Sequence, residues 1–133
     1  MTTDTNTERM LVFIGNGKGG VGKSTIALGL IDALGRRWPA ARIGVVESDT
    51  NNPDVMKSLS GGGREIDAAA FDLADEGGWI GTANWIEEGG RDIIVVSGAA
   101  KLSAAICRHA GIIDDVATAL GMRQFMLWPI DRM

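Results

Sequence analysis

The chain has little of what several classes of protein require. Its 133 residues include one cysteine, one histidine, three prolines and no tyrosine. A single cysteine, Cys107, excludes a disulfide within the chain and a cysteine-based metal site built by one chain. It fits a reducing compartment, so we expect a cytoplasmic protein. Cys107 itself is predicted to fill a small apolar space on a helix.

A long hydrophobic run and an excess of basic charge are also missing. No window approaches the roughly 18 consecutive apolar residues of a membrane span, and residues 1–8 are too polar for a signal peptide. Thirteen basic and 17 acidic residues give a net charge of −4, which argues against a uniform nucleic-acid-binding surface. We therefore expect no membrane span and no direct nucleic-acid binding. Residues 1–8 are predicted to be a disordered lead, and residues 9–133 a single domain.

Glycine, by contrast, is abundant, and it is concentrated in residues 15–25, which read GNGKGGVGKST. From Gly17 to Ser24 the spacing is G-x-x-x-x-G-K-S, which is typical of a phosphate-binding loop. Glycines let consecutive backbone N–H groups turn toward a phosphate, Lys23 adds positive charge, and the Ser24 hydroxyl can hold Mg²⁺. The predicted phosphate-binding residues are Gly17, Lys18, Gly19, Gly20, Val21, Gly22, Lys23, Ser24 and Thr25.

The residues around this loop predict alternating strands and helices. The apolar run at 10–14 indicates a buried strand, and apolar residues at helical spacing over 26–34 indicate a helix, with Gly35 as its stop and Pro39 as a barrier. Further strands are predicted at 42–46, 68–73, 92–96 and 124–128, and further helices at 54–59, 76–88 and 101–120. We expect Gly89 and Gly90 to end the second of these helices, and Gly111 to break the third.

Strands that are apolar throughout and alternate with helices predict an α/β fold. The expected architecture is a three-layer sandwich whose mainly parallel sheet is covered on both sides. In such a sheet the ligand lies beyond the carboxyl ends of the strands, where the glycine-rich loop begins.

A second lysine in the loop, Lys18, is not required for phosphate binding in general. The run from Lys18 to Ser24 resembles the K-G-G-x-G-K-[ST] signature of the deviant Walker A ATPases, the P-loop family of ParA, MinD and the CobQ/CobB nucleotide-binding domains. The resemblance implies a P-loop NTPase fold with ATP and Mg²⁺ as cofactors. It also implies a homodimer in which Lys18 contacts the partner's phosphates, with a solvated loop lysine as the alternative.

An acidic segment, Glu47-Ser48-Asp49, follows the second predicted strand. ParA-like proteins place a D-x-D-like switch segment there, so the resemblance assigns Asp49 to Mg²⁺ and to positioning the attacking water. Glu47 receives a supporting role. A carboxylate beside Mg²⁺ and the γ-phosphate is suited to both tasks. The alternative is an ordinary turn rich in Asp, Asn and Pro.

Two positions depart from the family pattern. Ser97 stands where the Walker B Asp is expected, and it brings a hydroxyl but no charge. Asp131 stands where an Asn that reads adenine is expected. These departures put fast hydrolysis in doubt, though not nucleotide binding. Relative to the family, the domain is expected to be shortened at the C-terminus, which would leave the last strand without some of its cover.

The leading hypothesis is an ATP-binding switch that hydrolyses ATP slowly, with Lys18, Lys23 and Asp49 as its catalytic residues and Ser24 and Asp49 as metal ligands. Loose patterns at residues 47–53, 79–80 and 128–132 resemble the TraL-like conjugal-transfer branch, which implies a plasmid-transfer or partition partner. The alternative is a non-catalytic nucleotide-binding adaptor or a truncated remnant acting as an interaction module. A small-metabolite kinase would need an arginine-bearing lid, which is not evident.

Overall fold

The computed structural model describes residues 9–15, 23–48, 66–98 and 103–127. Within these ranges the chain forms five strands and three helices, in the order β1 (Met10–Ile14), α1 (Lys23–Arg37), β2 (Ile43–Glu47), β3 (Asp67–Ala70), α2 (Glu76–Glu88), β4 (Ile93–Ser97), α3 (Ser103–Ala119) and β5 (Arg123–Leu127). The predicted lead at 1–8 and the predicted helix at 54–59 lie outside the described residues.

All five strands form one parallel sheet in the order β3-β2-β4-β1-β5. β1, β2 and β4 are buried along their whole length, as expected of parallel strands with helices on both faces. The structure thus confirms the predicted α/β sandwich and its parallel sheet.

Two hydrophobic cores lie on the opposite faces of this sheet. On one face α1 packs through Ala27 and Ile31 against Val12, Val45 and their neighbours. On the other face α2 and α3 pack against Leu11, Phe13 and the matching residues of β2 and β4. Alternate residues of each strand therefore belong to different cores, because successive side chains in a strand point to opposite faces.

Three predictions on single residues are wrong. Gly35 does not end α1, which continues to Arg37 before Pro39, and Gly111 does not break α3. A glycine inside a helix costs only about 1 kcal/mol, which the packing of each helix outweighs. Cys107 is exposed rather than buried, because it lies on the solvent side of α3. Gly89 ends α2 as predicted, with a φ of 86°.

The cover of the sheet is incomplete at its two edge strands. Phe125, Met126 and Leu127 of β5 are 41%, 51% and 39% exposed, and β3 is largely exposed. The sheet is therefore covered less well at its edges than at its centre, although α3 lies beside β5, where the Gln124 amide donates to the Asp114 carboxylate at 2.8 Å. The predicted shortage of cover on the last strand is confirmed. No helix in the described ranges is long and apolar enough to cross a membrane.

The amino ends of β2, β3 and β4 are joined by one cluster around Arg91. The Arg91 guanidinium stacks on the Trp85 ring, with Cζ 3.6 Å from its centroid, and donates to the Trp85 carbonyl at 2.7 Å. Its Nε lies 3.2 Å from Asp67. This cluster passes directly over Gly44, and it ties the edge strand β3 to α2.

Gly44→Ala is expected to destabilise the protein by about 1–3 kcal/mol. A Cβ at this position would lie 2.6 Å from Arg91 Cδ and 2.7 Å from Trp85 Cη2, and neither side chain is free to move away. Urea unfolding followed by circular dichroism measures the change. Gly111→Ala is the matched control, since its Cβ would meet no atom within 4 Å, and we expect it to stabilise α3 by about 0.5–1 kcal/mol. Equal unfolding midpoints for the two variants would contradict this account.

Candidate functional site

The carboxyl ends of four strands meet at one edge of the sheet. Ile14, the last residue of β1, is in register with Ser97 of β4 and Leu127 of β5. Ser97 is in turn in register with Glu47 of β2. The last residues of these neighbouring strands therefore form a single row, which we call the carboxyl row.

Backbone hydrogen bonds extend the sheet by one residue beyond this row. The N–H of Gly15 donates to the Leu127 carbonyl at 3.0 Å, and the N–H of Gly98 donates to the Ile14 carbonyl at 2.8 Å. The N–H of Ser48 donates to the Ser97 carbonyl at 3.0 Å. The first residue of the glycine-rich stretch, Gly15, is thus held against the end of β5.

The helix that follows the glycine-rich stretch begins at Lys23, and Ser24 and Thr25 are its next residues. Because β1 runs toward the carboxyl row and α1 packs back along the same strands, the first turn of α1 opens at this edge. The free N–H groups and positive dipole end of a helix favour an anion at that position. The sequence motif and the fold therefore agree on where a phosphate would bind.

Several predicted site residues cannot be located. Gly17, Lys18, Gly19, Gly20, Val21 and Gly22 lie outside the described residues, as does Asp49. Asp131 also lies outside them. The structure does describe β2, which ends at Glu47 of the acidic segment, and β4, which ends at Ser97.

Three polar residues at or beside the carboxyl row are buried. Glu47 is 3% exposed, Ser48 is 4% exposed and Ser97 is 2% exposed. Glu47 shares a sheet face with Val45, and Ser97 shares it with Val95, since side chains two residues apart point the same way. Both valines belong to the core beneath α1. Glu47 and Ser97 therefore lie on the face of the sheet from which α1 begins.

The position of Glu47 was mispredicted from the sequence. The apolar run predicted that β2 ends at Val46, which places Glu47 in the following turn. In the structure β2 ends at Glu47 and β4 ends at Ser97, so both residues belong to the sheet itself. The sequence did contain a signal for the longer strand. Glu47 directly follows the apolar run of β2, in a chain that also has a phosphate-loop motif.

The oxygen donors of this edge fit Mg²⁺. No group of three or more His, Cys, Asp or Glu side chains in the described ranges could hold a metal ion. Mg²⁺ in nucleotide sites needs no such cage, because one or two protein oxygens, water and the phosphates complete its coordination. The Glu47 carboxylate and the Ser97 hydroxyl are donors of the required kind.

A separate cavity of about 190 Å³ lies on the other face of the sheet, between α3 and β5. Its lining is mainly apolar and includes Trp79, Ile106 and Phe125. The Trp79 indole N–H, which donates to the Leu73 carbonyl at 2.7 Å, is already bonded. This cavity reflects the thin cover of β5 and has no feature of a phosphate site.

Comparison with known proteins finds relatives whose sequences are similar to all or part of this chain. The chain is 27% identical over 124 residues to Protein MobD of Acidithiobacillus ferrooxidans, an alignment that covers 93% of this chain and 52% of MobD. It is 40% identical over 58 residues to the iron-sulfur cluster carrier protein of Deinococcus radiodurans, covering 44% of this chain and 16% of that protein. It is 42% identical over 57 residues to the protein of the same name from Pyrococcus abyssi, an alignment that covers 43% of this chain and 19% of that protein. The chain thus spans about half the length of MobD and less of the other two.

The model of one protein family, the CobQ/CobB/MinD/ParA nucleotide binding domain, matches residues 12–126. The match begins within β1, includes the glycine-rich loop and the carboxyl-row residues Ile14, Glu47 and Ser97, and ends within β5. The chain therefore belongs to the CobQ/CobB/MinD/ParA nucleotide-binding domain family.

Proposed function

We propose that this protein is an ATP-binding switch of the ParA/MinD type, built on one domain over residues 9–133, that hydrolyses ATP slowly. The observation that carries the proposal is the position of the glycine-rich loop. It leaves β1 at the carboxyl row and enters α1 at Lys23, within the segment that the family model matches. Phosphate-binding loops in α/β folds act at this junction of strand and helix.

The residues from Gly17 to Thr25 would bind the nucleotide. Backbone N–H groups of the loop and of the first turn of α1 would surround the phosphates, and Lys23 would neutralise the β- and γ-phosphates. Ser24 and Asp49 would hold Mg²⁺, which supplies charge neutralisation at the phosphates when bound. Asp49 would also orient the attacking water.

Lys18 supports a deviant Walker A loop and hence an ATP-dependent homodimer. A lysine at this point of the loop is surplus to the binding of one nucleotide by one chain. Its contact with the phosphates of the partner's nucleotide would make the dimer sensitive to ATP. Such coupling between ligand and assembly is what a switch requires.

Plasmid transfer or partition is the process we favour. The support is the resemblance of residues 47–53 and 128–132 to TraL-like conjugal-transfer ATPases, together with the similarity to MobD over 93% of the chain. The partner would be a protein of the transfer or partition machinery, and the single cysteine favours the cytoplasm as the site of action.

Ser97 favours a second candidate function, a nucleotide-binding adaptor without hydrolysis. The last residue of β4 is a neutral, buried serine at the position where the family's Walker B strand carries an aspartate. Steady-state release of phosphate distinguishes the two candidates. Turnover that is lost in Lys23→Ala supports the switch, whereas saturable ATP binding without turnover supports the adaptor.

Lys23→Ala is expected to weaken the binding of Mg-ATP roughly tenfold to a hundredfold. A charge-assisted hydrogen bond contributes about 1.5–3 kcal/mol, which corresponds to that loss of affinity. Calorimetric titration measures it, and Arg36→Ala is the matched control. Arg36 pairs with Asp32 on an exposed turn of α1 at 3.0 Å, so its removal should leave the affinity unchanged. Native affinity in the Lys23 variant would overturn the proposed nucleotide site.

Lys18→Ala is expected to bind Mg-ATP but to remain a monomer. If Lys18 acts only on the partner's nucleotide, its removal weakens the dimer and leaves the site within each chain intact. Sedimentation velocity with and without Mg-ATP measures the assembly, and calorimetry measures the binding. A dimer that forms equally well in the variant would assign Lys18 to solvent rather than to the interface.

A further inference from the structure

The carboxyl row changes in character from one side of the sheet to the other. Glu47 of β2 and Ser97 of β4 are polar, whereas Ile14 of β1 and Leu127 of β5 are apolar. The strand order β3-β2-β4-β1-β5 puts the polar pair on one side of β1 and Leu127 on the other side. The glycine-rich stretch leaves β1 between these two parts of the row.

A nucleotide bound at this row would have a defined direction. In the proposed function the metal ion is held by Ser24 and by Asp49, which follows β2, and Mg²⁺ in such sites binds the terminal phosphates. The terminal phosphates would therefore lie toward β2 and β4. With the phosphates held by the loop after β1, the sugar and the base would extend toward β5, on the other side of β1.

Leu127 is bonded directly to the start of the glycine-rich stretch. Its carbonyl accepts the N–H of Gly15 at 3.0 Å, and it is in register with Ile14. Side chains in register on neighbouring strands point to the same face of the sheet, so Leu127 lies on the face from which α1 begins. Because neighbouring strands are about 4.8 Å apart, a base that extends past β1 by one strand meets Leu127.

The side chain of Leu127 is open, whereas that of its partner in β1 is covered. Ile14 is 0% exposed and packs beneath α1, but Leu127 is 39% exposed. Phe125, two residues earlier in β5, has the Arg123 guanidinium carbon 5.4 Å from its ring centroid. Leu127 is therefore the apolar side chain that β5 offers at the row itself.

The rings of a nucleobase suit such a side chain. The hydrogen-bonding groups of a base lie on its edges, and contacts to the faces of its rings are tolerant of base type. A nucleotide is charged at its phosphate end and apolar on the ring faces at its other end. The carboxyl row has the same order, with polar residues toward β2 and an open apolar residue at β5.

We propose that Leu127 contacts a ring face of the base of the bound nucleotide, in a contact that does not distinguish adenine from guanine. This role rests on the proposed function, since it requires the phosphates at the loop after β1. The bound base would then cover part of the apolar surface that β5 exposes.

Comparison of two ligands measures the contribution of the base. Ribose triphosphate is ATP without its base, so the ratio of the affinities for Mg-ATP and Mg-ribose triphosphate, from calorimetric titration, is the base contribution. Leu127→Gln keeps the length of the side chain and makes it polar. We expect it to lower the base contribution about threefold to tenfold, the effect of losing one apolar contact. The affinity for ribose triphosphate should stay native.

Two further variants separate direct contact from an effect on the fold. Leu127→Met keeps an apolar side chain of similar volume, so the base contribution should stay near its native value. Met126→Gln is the matched control, because Met126 is 51% exposed and points to the opposite face of the same strand. The same change there should leave both affinities unchanged.

Titration with Mg-GTP tests the nature of the contact. If Leu127 meets only the face of the ring, Leu127→Gln lowers the affinities for Mg-ATP and Mg-GTP by the same factor. A loss confined to one of these nucleotides would overturn the contact with the ring face.

The outcomes separate this proposal from the proposed function. A folded native protein that binds neither Mg-ATP nor Mg-ribose triphosphate overturns the proposed function. Native binding of both, with a base contribution that Leu127→Gln leaves unchanged, overturns the role of Leu127 while the phosphate site stands. An equal loss of both affinities in Leu127→Gln would mean that Leu127 supports the fold only, and it would overturn the contact with the base.

Sedimentation velocity with Mg-ATP tests whether a second copy of the chain covers Leu127 instead. If Leu127→Gln weakens a dimer and leaves the base contribution native, the surface belongs to the dimer and the proposal is wrong. Thermal unfolding followed by circular dichroism confirms the fold of each variant. Leu127→Ala, for which we expect the same loss of base contribution, provides the measurement if Leu127→Gln does not fold.

Discussion

The parallel register of β1 with β4 and β5 is the constraint on which the rest of the structure depends. It brings the last residues of four strands into one row, and it holds Gly15, the first residue of the glycine-rich stretch, against the end of β5. An antiparallel partner on either side of β1 would have placed an amino end beside the loop. The helix dipole, the loop and the buried polar residues can act on one ligand only because all the strands run in the same direction.

Burying a polar side chain costs folding free energy unless hydrogen bonds or charges compensate it. Polar residues buried at the ends of apolar strands therefore stand out in this structure. The strands β2 and β4 are apolar up to their last residues, Glu47 and Ser97, which are nevertheless buried. Nothing in the formation of a parallel sheet requires a carboxylate there. Glu47 and Ser97 are in register on neighbouring strands, so the sheet places both polar residues at the edge where the glycine-rich stretch begins.

Local patterns in the sequence predicted most of the elements, because each reflects physics within a few residues. The apolar runs identified β1 and β4, and helical spacing identified α2. The order of the strands and the mispredicted glycines depend on packing between distant segments, which a single sequence does not display. One strand boundary was wrong by a single residue. The sequence predicted that β2 ends at Val46, and Glu47, which is buried at the end of β2, was therefore assigned to a turn. Boundaries of elements are decided by hydrogen bonds to neighbouring strands, such as the pairing of Glu47 with Ser97.

The two ends of the sheet perform different tasks, and this separation decides how variants can be interpreted. At the amino ends, Arg91 stacks on Trp85 and pairs with Asp67, so charge there stabilises the edge strand. At the carboxyl ends, charge is buried beside the proposed phosphate site. A substitution in the Arg91 cluster should therefore act on unfolding free energy, and one in the carboxyl row on ligand binding. Because the strands are about 17 Å long, effects at the two ends should be additive, and a variant that changes both properties would indicate coupling through the strands themselves.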